Sequence, residues 1–255
     1  MADRVKNLIR RVTIILFWFG IWQILSMLVS RELLLPSPYK TLQTLCALAA
    51  DAVFWKSVAF SILRIMAGFF AGCAAGALLA TLCALSGIAS ALFRPFLSVV
   101  RSTPVASFIV IALVWIGRGA VPSFIAFLIV LPIVCDSVLA GMKNADVMLL
   151  EVALIYAFSK AQRIRLILIP GAMKSFLSSS ATALGIAWKA GIAAEVLATP
   201  QHSIGTSLYQ AKIYLESPEL LAWTMTIIIL SMAFEKILHK GSTALLHSLH
   251  LGGVK

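Results

Sequence analysis

Charge is what this sequence has least of. Of its 255 residues only 12% are charged against 61% hydrophobic, and the mean hydropathy is +0.99. A soluble domain is typically about 45–50% apolar, so a soluble globular chain is excluded, and apolar stretches of about 20 residues mark bilayer spans instead. Acid is the scarcer sign, with 10 Asp and Glu to 21 Lys and Arg and a net charge of +11. Such an excess also occurs in nucleic-acid-binding proteins. Here the basic residues sit between apolar runs and form no Lys/Arg-rich run beside aromatic platforms, which is the pattern of membrane topology. The four cysteines, Cys46, Cys73, Cys83 and Cys135, have no metal-ligand spacing and read as small core residues. No GxxxxGK[ST] stretch is present, which excludes a P-loop nucleotide site in this chain. No internal repeat is visible, which argues against two fused inverted halves.

What is present is a series of six apolar segments, at about 13–29, 57–88, 104–117, 120–141, 172–195 and 219–236. They predict an all-α membrane protein of six transmembrane helices forming one domain over residues 1–255. The basic stretch MADRVKNLIRRV precedes the first segment without a clean small-residue cleavage site, so an uncleaved first span is expected. With the N-terminus in the cytoplasm, Arg31, Lys40, Lys56, Arg118 and Lys212 fall outside, and Arg64 and Lys189 fall within spans. The rest of the 21 basic residues lie inside, so the Lys/Arg bias places both termini in the cytoplasm. Gly68, Gly72 and Gly76 form a GxxxGxxxG stripe, suited either to packing within the chain or to contact with another subunit.

The cytoplasmic loop of this topology, 142–171, concentrates charge in EVALIYAFSKAQRIRLILIP. Residues 147–163 lack Gly and Pro and predict a short helix, with Asp146 as N-cap and Glu151 toward its positive end. Lys160 and Arg163 suit its negative end, and Pro170 marks the start of the next span. By physics alone, this helix could equally lie on lipid headgroups.

The same stretch resembles a loop signature of permease subunits of binding-protein-dependent ABC importers. That signature is Glu-Ala-Ala, three residues, Gly, nine residues, Ile-x-Leu-Pro. This chain has Glu151-Val152-Ala153, Ala157 at the glycine position, and Ile167-Leu168-Ile169-Pro170. The departures are Val152, Ala157 and Ile169, and the missing glycine bears on the sharpness of the bend after the helix. LLLPSPYKTLQTL, SILRIMAGFFAGCAAG and FRPFLSVVRSTPVASF resemble further motifs of the sulfonate, taurine and nitrate type, in the same order.

The resemblance implies a type I importer fold in the cytoplasmic (inner) membrane. It implies a coupling helix around 151–163 that docks on a cytoplasmic ATPase. In that role Glu151 anchors by polar contacts and Ala153 and Ala157 allow close approach. ATP and Mg would then be bound by the partner ATPase subunits, and this chain would bind no cofactor and catalyse nothing. The other implied partners are an extracytoplasmic substrate-binding protein and a second permease copy, surrounded by membrane lipid.

Charges within spans cost roughly 2.5–3.5 kcal/mol near mid-bilayer, so they must face protein or water. Arg64 and Lys189 are candidates to line a translocation cavity and attract an anionic solute. The alternative is that each pairs with a carboxylate, Asp136 or Glu195, to tolerate burial. Glu195 is an unfavourable partner for Lys189, because six residues leave the two about 120° apart on one helix. Trp188 either stacks on a substrate ring or packs between helices. Two other classes remain, a passive six-span channel and a membrane-embedded enzyme. The first has no need of the 142–171 loop, and the second lacks a convergent set of acids, histidines or nucleophiles.

Overall fold

The computed structural model describes residues 2–145 and 147–248, and the chain is helical throughout, with no strand among the described residues. The helices are α1 (Ala2–Val29), α2 (Pro38–Ala49), α3 (Ala52–Leu85), α4 (Gly87–Ser102), α5 (Val105–Trp115) and α6 (Val121–Lys143). The loop contributes α7 (Val147–Ile155) and α8 (Lys160–Arg163), then a π-helical turn (Ile164–Leu168). α9 (Ile169–Ala198), α10 (Ile204–Ile213) and α11 (Ser217–Ser248) complete the chain.

Small polar residues start α2, α3, α4 and α10, as capping chemistry favours. Ser37 accepts from the Lys40 amide, with Pro38 at the first helical position. Asp51 accepts from Val53 N at 3.0 Å, Ser86 from Ala89 N at 3.3 Å, and Ser203 from Thr206 N at 3.0 Å.

Among the described residues, five helices are long and apolar enough to cross a membrane, and the bent pair α4–α5 makes a sixth if it counts as one span. The segment read as a third span, 104–117, is an 11-residue helix. At 1.5 Å per residue it is roughly 16 Å long, half of a hydrocarbon core of about 30 Å. With α4, from which it departs by 104° at Thr103-Pro104, it forms a broken span or a re-entrant loop. The residue before a proline avoids the α region, and Thr103 is extended at φ −82°, ψ 131°.

α6 lies between α3 and α9, and these three carry the main core, including Ile65, Phe69, Val130, Val134, Ala183 and Leu184. The glycine stripe makes this closeness possible. A Cβ at Gly68 would stand on the carbonyl oxygen of Ser123, and one at Gly72 would lie 2.8 Å from Val130 Cβ. At Gly76 it would come within 2.8 Å of Leu131 O. The stripe therefore packs within the chain, against α6, where close backbone approach replaces the missing hydrophobic drive. The positive-φ positions, in contrast, are Ser30, Ala157, Thr199, His202 and Leu215, and none of the described glycines has positive φ.

Candidate functional site

The 142–171 loop is not the single helix over 147–163 that composition predicts. α7 stops at Ile155 because the chain turns left-handed at Ala157, φ 51°. Phe158 N donates to Ala153 O at 2.9 Å and Ala157 N to Leu154 O at 3.1 Å. These two bonds are the Schellman closure, in which the left-handed residue is usually glycine. Ala157 thus occupies the glycine position of the resembled signature and adopts a glycine-like backbone, at a cost of roughly 1–2 kcal/mol for an L-residue.

α8 then begins with its own reciprocal cap. Ser159 Oγ accepts from Gln162 N at 3.2 Å, and Gln162 Oε1 accepts from Ser159 N at 2.8 Å. This Ser-x-x-Gln capping box is written in SKAQ (159–162) and is the signal that composition alone overlooks. Lys160 and Arg163 consequently do not close α7. They belong to the next helix, which continues through the π turn into α9. Pro170 sits just inside α9, where the preceding π turn accommodates a residue with no amide donor. Asp146, the expected cap, lies outside the described residues.

Ala153 is buried against Ala145, Phe158 and Ile167, so its small side chain serves packing within the chain rather than approach by a partner. Glu151 is exposed on α7 among further exposed apolar side chains, Met148, Leu149, Val152, Leu154 and Ile155, which lie on several sides of the helix.

Two of the charges expected within spans meet each other. Glu195 on α9 has no exposed surface. Its Oε2 accepts from Ser61 Oγ at 2.7 Å and from Gly205 N at 3.1 Å, and its Oε1 lies 3.8 Å from Arg64 Nη1. The same guanidinium donates to His202 O at 3.1 Å and Gln201 O at 2.8 Å and lies over the Phe60 ring. Ser61 Oγ in turn accepts from Ile204 N at 2.9 Å. Arg64, Ser61 and Glu195 thus clamp α3, α9 and the start of α10 together. Glu195, which stood among the pathway candidates, is enclosed in this clamp, and the pairing alternative describes Arg64.

Asp136 pairs with Arg101 at the end of α4 and with neither of the cations expected to need it. Trp188 is fully buried; its Nε1 donates to Ile227 O at 3.2 Å and its ring meets Phe234 edge-on at 5.0 Å. It packs α9 on α11, as the helix-packing alternative has it.

Lys189 is different. It is exposed, and among the described residues it forms no ion pair. With Ser178, Thr182, Ile186 and Ala193 it lies on the outward face of α9, a largely polar or small-residue strip on a membrane-length helix. Ahead of that face runs a groove of about 390 Å³, walled by Ala181, Thr182, Gly185, Ile186, Lys189 and Glu235. Glu235 was invisible as a site residue in the sequence, because it sits at the C-terminal end of the segment 219–236.

The fold and these two features define a multi-span transport subunit: a helical membrane domain with a capped loop and a polar strip on one helix. Residues 68–238 match the family described as binding-protein-dependent transport system inner membrane component, and the chain belongs to that family. It is a permease subunit of an importer of this type, in the inner membrane, and such subunits are generally non-catalytic. Importers of the family work in general with ATPase subunits and a binding protein.

The taurine transport system permease protein TauC of Escherichia coli (strain K12) is 26% identical over 220 residues, 84% of this chain and 80% of the relative. A putative aliphatic sulfonates transport permease, SsuC of Bacillus subtilis (strain 168), is 25% identical over 206 residues, 80% of this chain and 74% of the relative. Among solved structures, an amino acid ABC transporter matches with TM-score 0.64 at 16% identity, covering 75% of this chain and 94% of that one. The inward-facing MetNI methionine ABC transporter matches with TM-score 0.58 at 16% identity, covering 74% and 93%. These likenesses show the fold.

Proposed function

We propose that two copies of this chain form the membrane pathway of an ATP-driven importer for a small organic anion. Both termini and the 142–171 loop lie in the cytoplasm. ATP and Mg are bound and turned over by partner ATPase subunits, an extracytoplasmic binding protein delivers the solute, and this chain holds no cofactor. The observation that carries the reading is continuity. From Lys160 to Ala198 the chain is helical without interruption, so the second half of the loop and the polar strip bearing Lys189 lie on one rod, on which α7 packs through Ala153 and Ile167. A rigid-body movement imposed on α7 and α8 is passed to the wall of the pathway, as alternating access needs. Glu151, with Val152 and the other exposed apolar side chains of α7, meets the ATPase, and the left-handed turn at Ala157 separates α7 from the rod.

Lys189 supplies the positive potential for the solute. The relatives are named for taurine and aliphatic sulfonates, solutes that share a sulfonate group, which agrees with that charge. Lys189→Met is expected to lower uptake by the assembled importer about tenfold or more, the equivalent of one lost interaction of about 1.4 kcal/mol. Lys189→Arg is expected to retain most of it. Uptake unchanged in Lys189→Met, with the complex intact, removes Lys189 from the pathway.

A further inference from the structure

We propose that the ion pair between Arg101 and Asp136 lines the inner half of the translocation pathway, as a second charged station inward of Lys189. This deepens the reading of two copies enclosing a pathway along α9 and rests on it.

Exposure sets this pair apart from the other one within the spans. The side chains of Arg64 and Glu195 are 16% and 0% exposed, whereas those of Arg101 and Asp136 are 49% and 43% exposed. Asp136 nevertheless sits inside a membrane-length helix, seven residues or roughly 10 Å before α6 ends at Lys143. Charged side chains at such a depth face protein or a water-filled cavity, because hydrocarbon solvates neither charge. An ion pair open to water contributes little to stability, so it can part and re-form as the helices move.

The side of α6 that carries the pair is the side of the pathway. Val121, Ile125, Ile129 and Asp136 follow one another at spacings of 4, 4 and 7, which is one face of the helix. The outer part of that face is covered by α5. There Ile109 and Ala112 cluster with Val121 and Ile125, and with Ala194 and Ala198 of α9. α5 has only 11 residues, roughly 16 Å, whereas Asp136 lies 15 residues or about 22 Å beyond Val121. The bend of 104° at Thr103-Pro104 then turns α4 out of the line of α5, and the inner part of the α6 face stays open with Asp136 on it. Arg101, in the last turn of α4, pairs with the carboxylate from that corner. On α9 the same cluster takes in Ala190 and Ala194, which adjoin the exposed Lys189 and Ala193. α5 therefore borders the polar strip of α9 along its length and the opening over Asp136 at its inner end. A conduit must bind its solute weakly enough to release it. Asp136 meets that need by holding the guanidinium while the pathway is empty, so that an arriving anion exchanges with a carboxylate instead of settling on a bare cation.

The test is thiol labelling of the complete importer in lipid nanodiscs, with Asp136→Cys made in a Cys46→Ala background. Cys73, Cys83 and Cys135 are buried and supply the baseline. Iodoacetate alkylates the thiolate, which apolar surroundings suppress, so Asp136→Cys is expected to react about tenfold or more faster than Ile228→Cys, an exposed apolar position on α11. Its rate is also expected to differ between the nucleotide-free and vanadate-trapped states. A rate equal to that of Ile228→Cys, or the same in both states, overturns the proposal, the first by placing the pair against lipid and the second by placing it outside the moving pathway. Arg101→Cys decides the matter in the same way if Asp136→Cys does not assemble. In liposomes Asp136→Cys is expected to lose uptake severalfold. Iodoacetate, which leaves a carboxylate on the sulfur, is expected to restore it, and iodoacetamide, which leaves the neutral amide, is not. Equal recovery with the two reagents, or none with iodoacetate, overturns the proposal as well. Ala193→Cys separates the two readings. If iodoacetate does not label it, the pathway role of α9 fails; if it is labelled in a state-dependent way and Asp136→Cys is not, only the inner station fails.

Discussion

Glu195→Ala is expected to cost about 3–5 kcal/mol, the range for removing one partner of a buried charge pair. The loss falls on several groups at once. The Arg64 guanidinium keeps its two loop carbonyls but loses its carboxylate, and Ser61 Oγ and Gly205 N lose their acceptor. For a chain of this size the shift in melting temperature is on the order of 10 °C, measured on detergent-solubilised protein by loss of the monodisperse peak after heating. Glu195→Gln is expected to cost less, because its amide oxygen still accepts from Ser61 or Gly205. A Glu195→Ala protein that melts with the native one would show that the α3–α9–α10 clamp contributes nothing to stability.

Gly68→Ala is expected to cost about 3 kcal/mol, the upper end of the usual overpacking range. The added methyl meets the backbone oxygen of Ser123, which cannot move away by changing rotamer. α3 and α6 must separate, and the core around Phe69, Ala126 and Val130 opens with them. Gly20→Ala is the control, since nothing lies within 4 Å of a Cβ there. It is expected to be neutral or slightly stabilising, as alanine is the better helix former. Equal yields and equal melting of the two variants would contradict the packing assigned to the stripe.

Much of this was legible in the sequence for identifiable reasons. Apolar runs of span length can hardly be anything else in a chain this poor in charge, so α3, α6, α9 and α11 follow from hydropathy. The loop stands out because Glu151, Lys160, Arg163 and Arg165 interrupt that background. Partnership between distant residues was legible only in part: burial cost pointed Arg64 to Asp136 or Glu195 without choosing between them. Arg64 and Glu195 are 131 positions apart, and no periodicity connects them to Ser61 and Gly205. Nor did composition reveal that α7 ends at Ile155, since alanine is the best helix former and Ala157 is nevertheless left-handed. Tertiary contact decided there: Phe158 and Ala153 close on Ile167, and the turn follows. The Ser159–Gln162 capping box was the local clue. Glu235 was missed for a different reason, because the end of an apolar run says little about depth until a neighbouring helix fixes the register.

The central claim is that the 142–171 loop joins this permease to an ATPase. The most direct measurement is a gentle-detergent pull-down of the tagged chain expressed with its importer, with mass spectrometry of what remains bound, repeated with Glu151→Lys. Glu151 is exposed on α7, so the substitution leaves the fold intact and reverses one charge among exposed apolar side chains. The expected result is a P-loop ATPase retained by the native chain and lost from an equally monodisperse Glu151→Lys protein. An ATPase absent from the native chain across detergents and nucleotide states, or held equally by the variant, would contradict the docking role of α7.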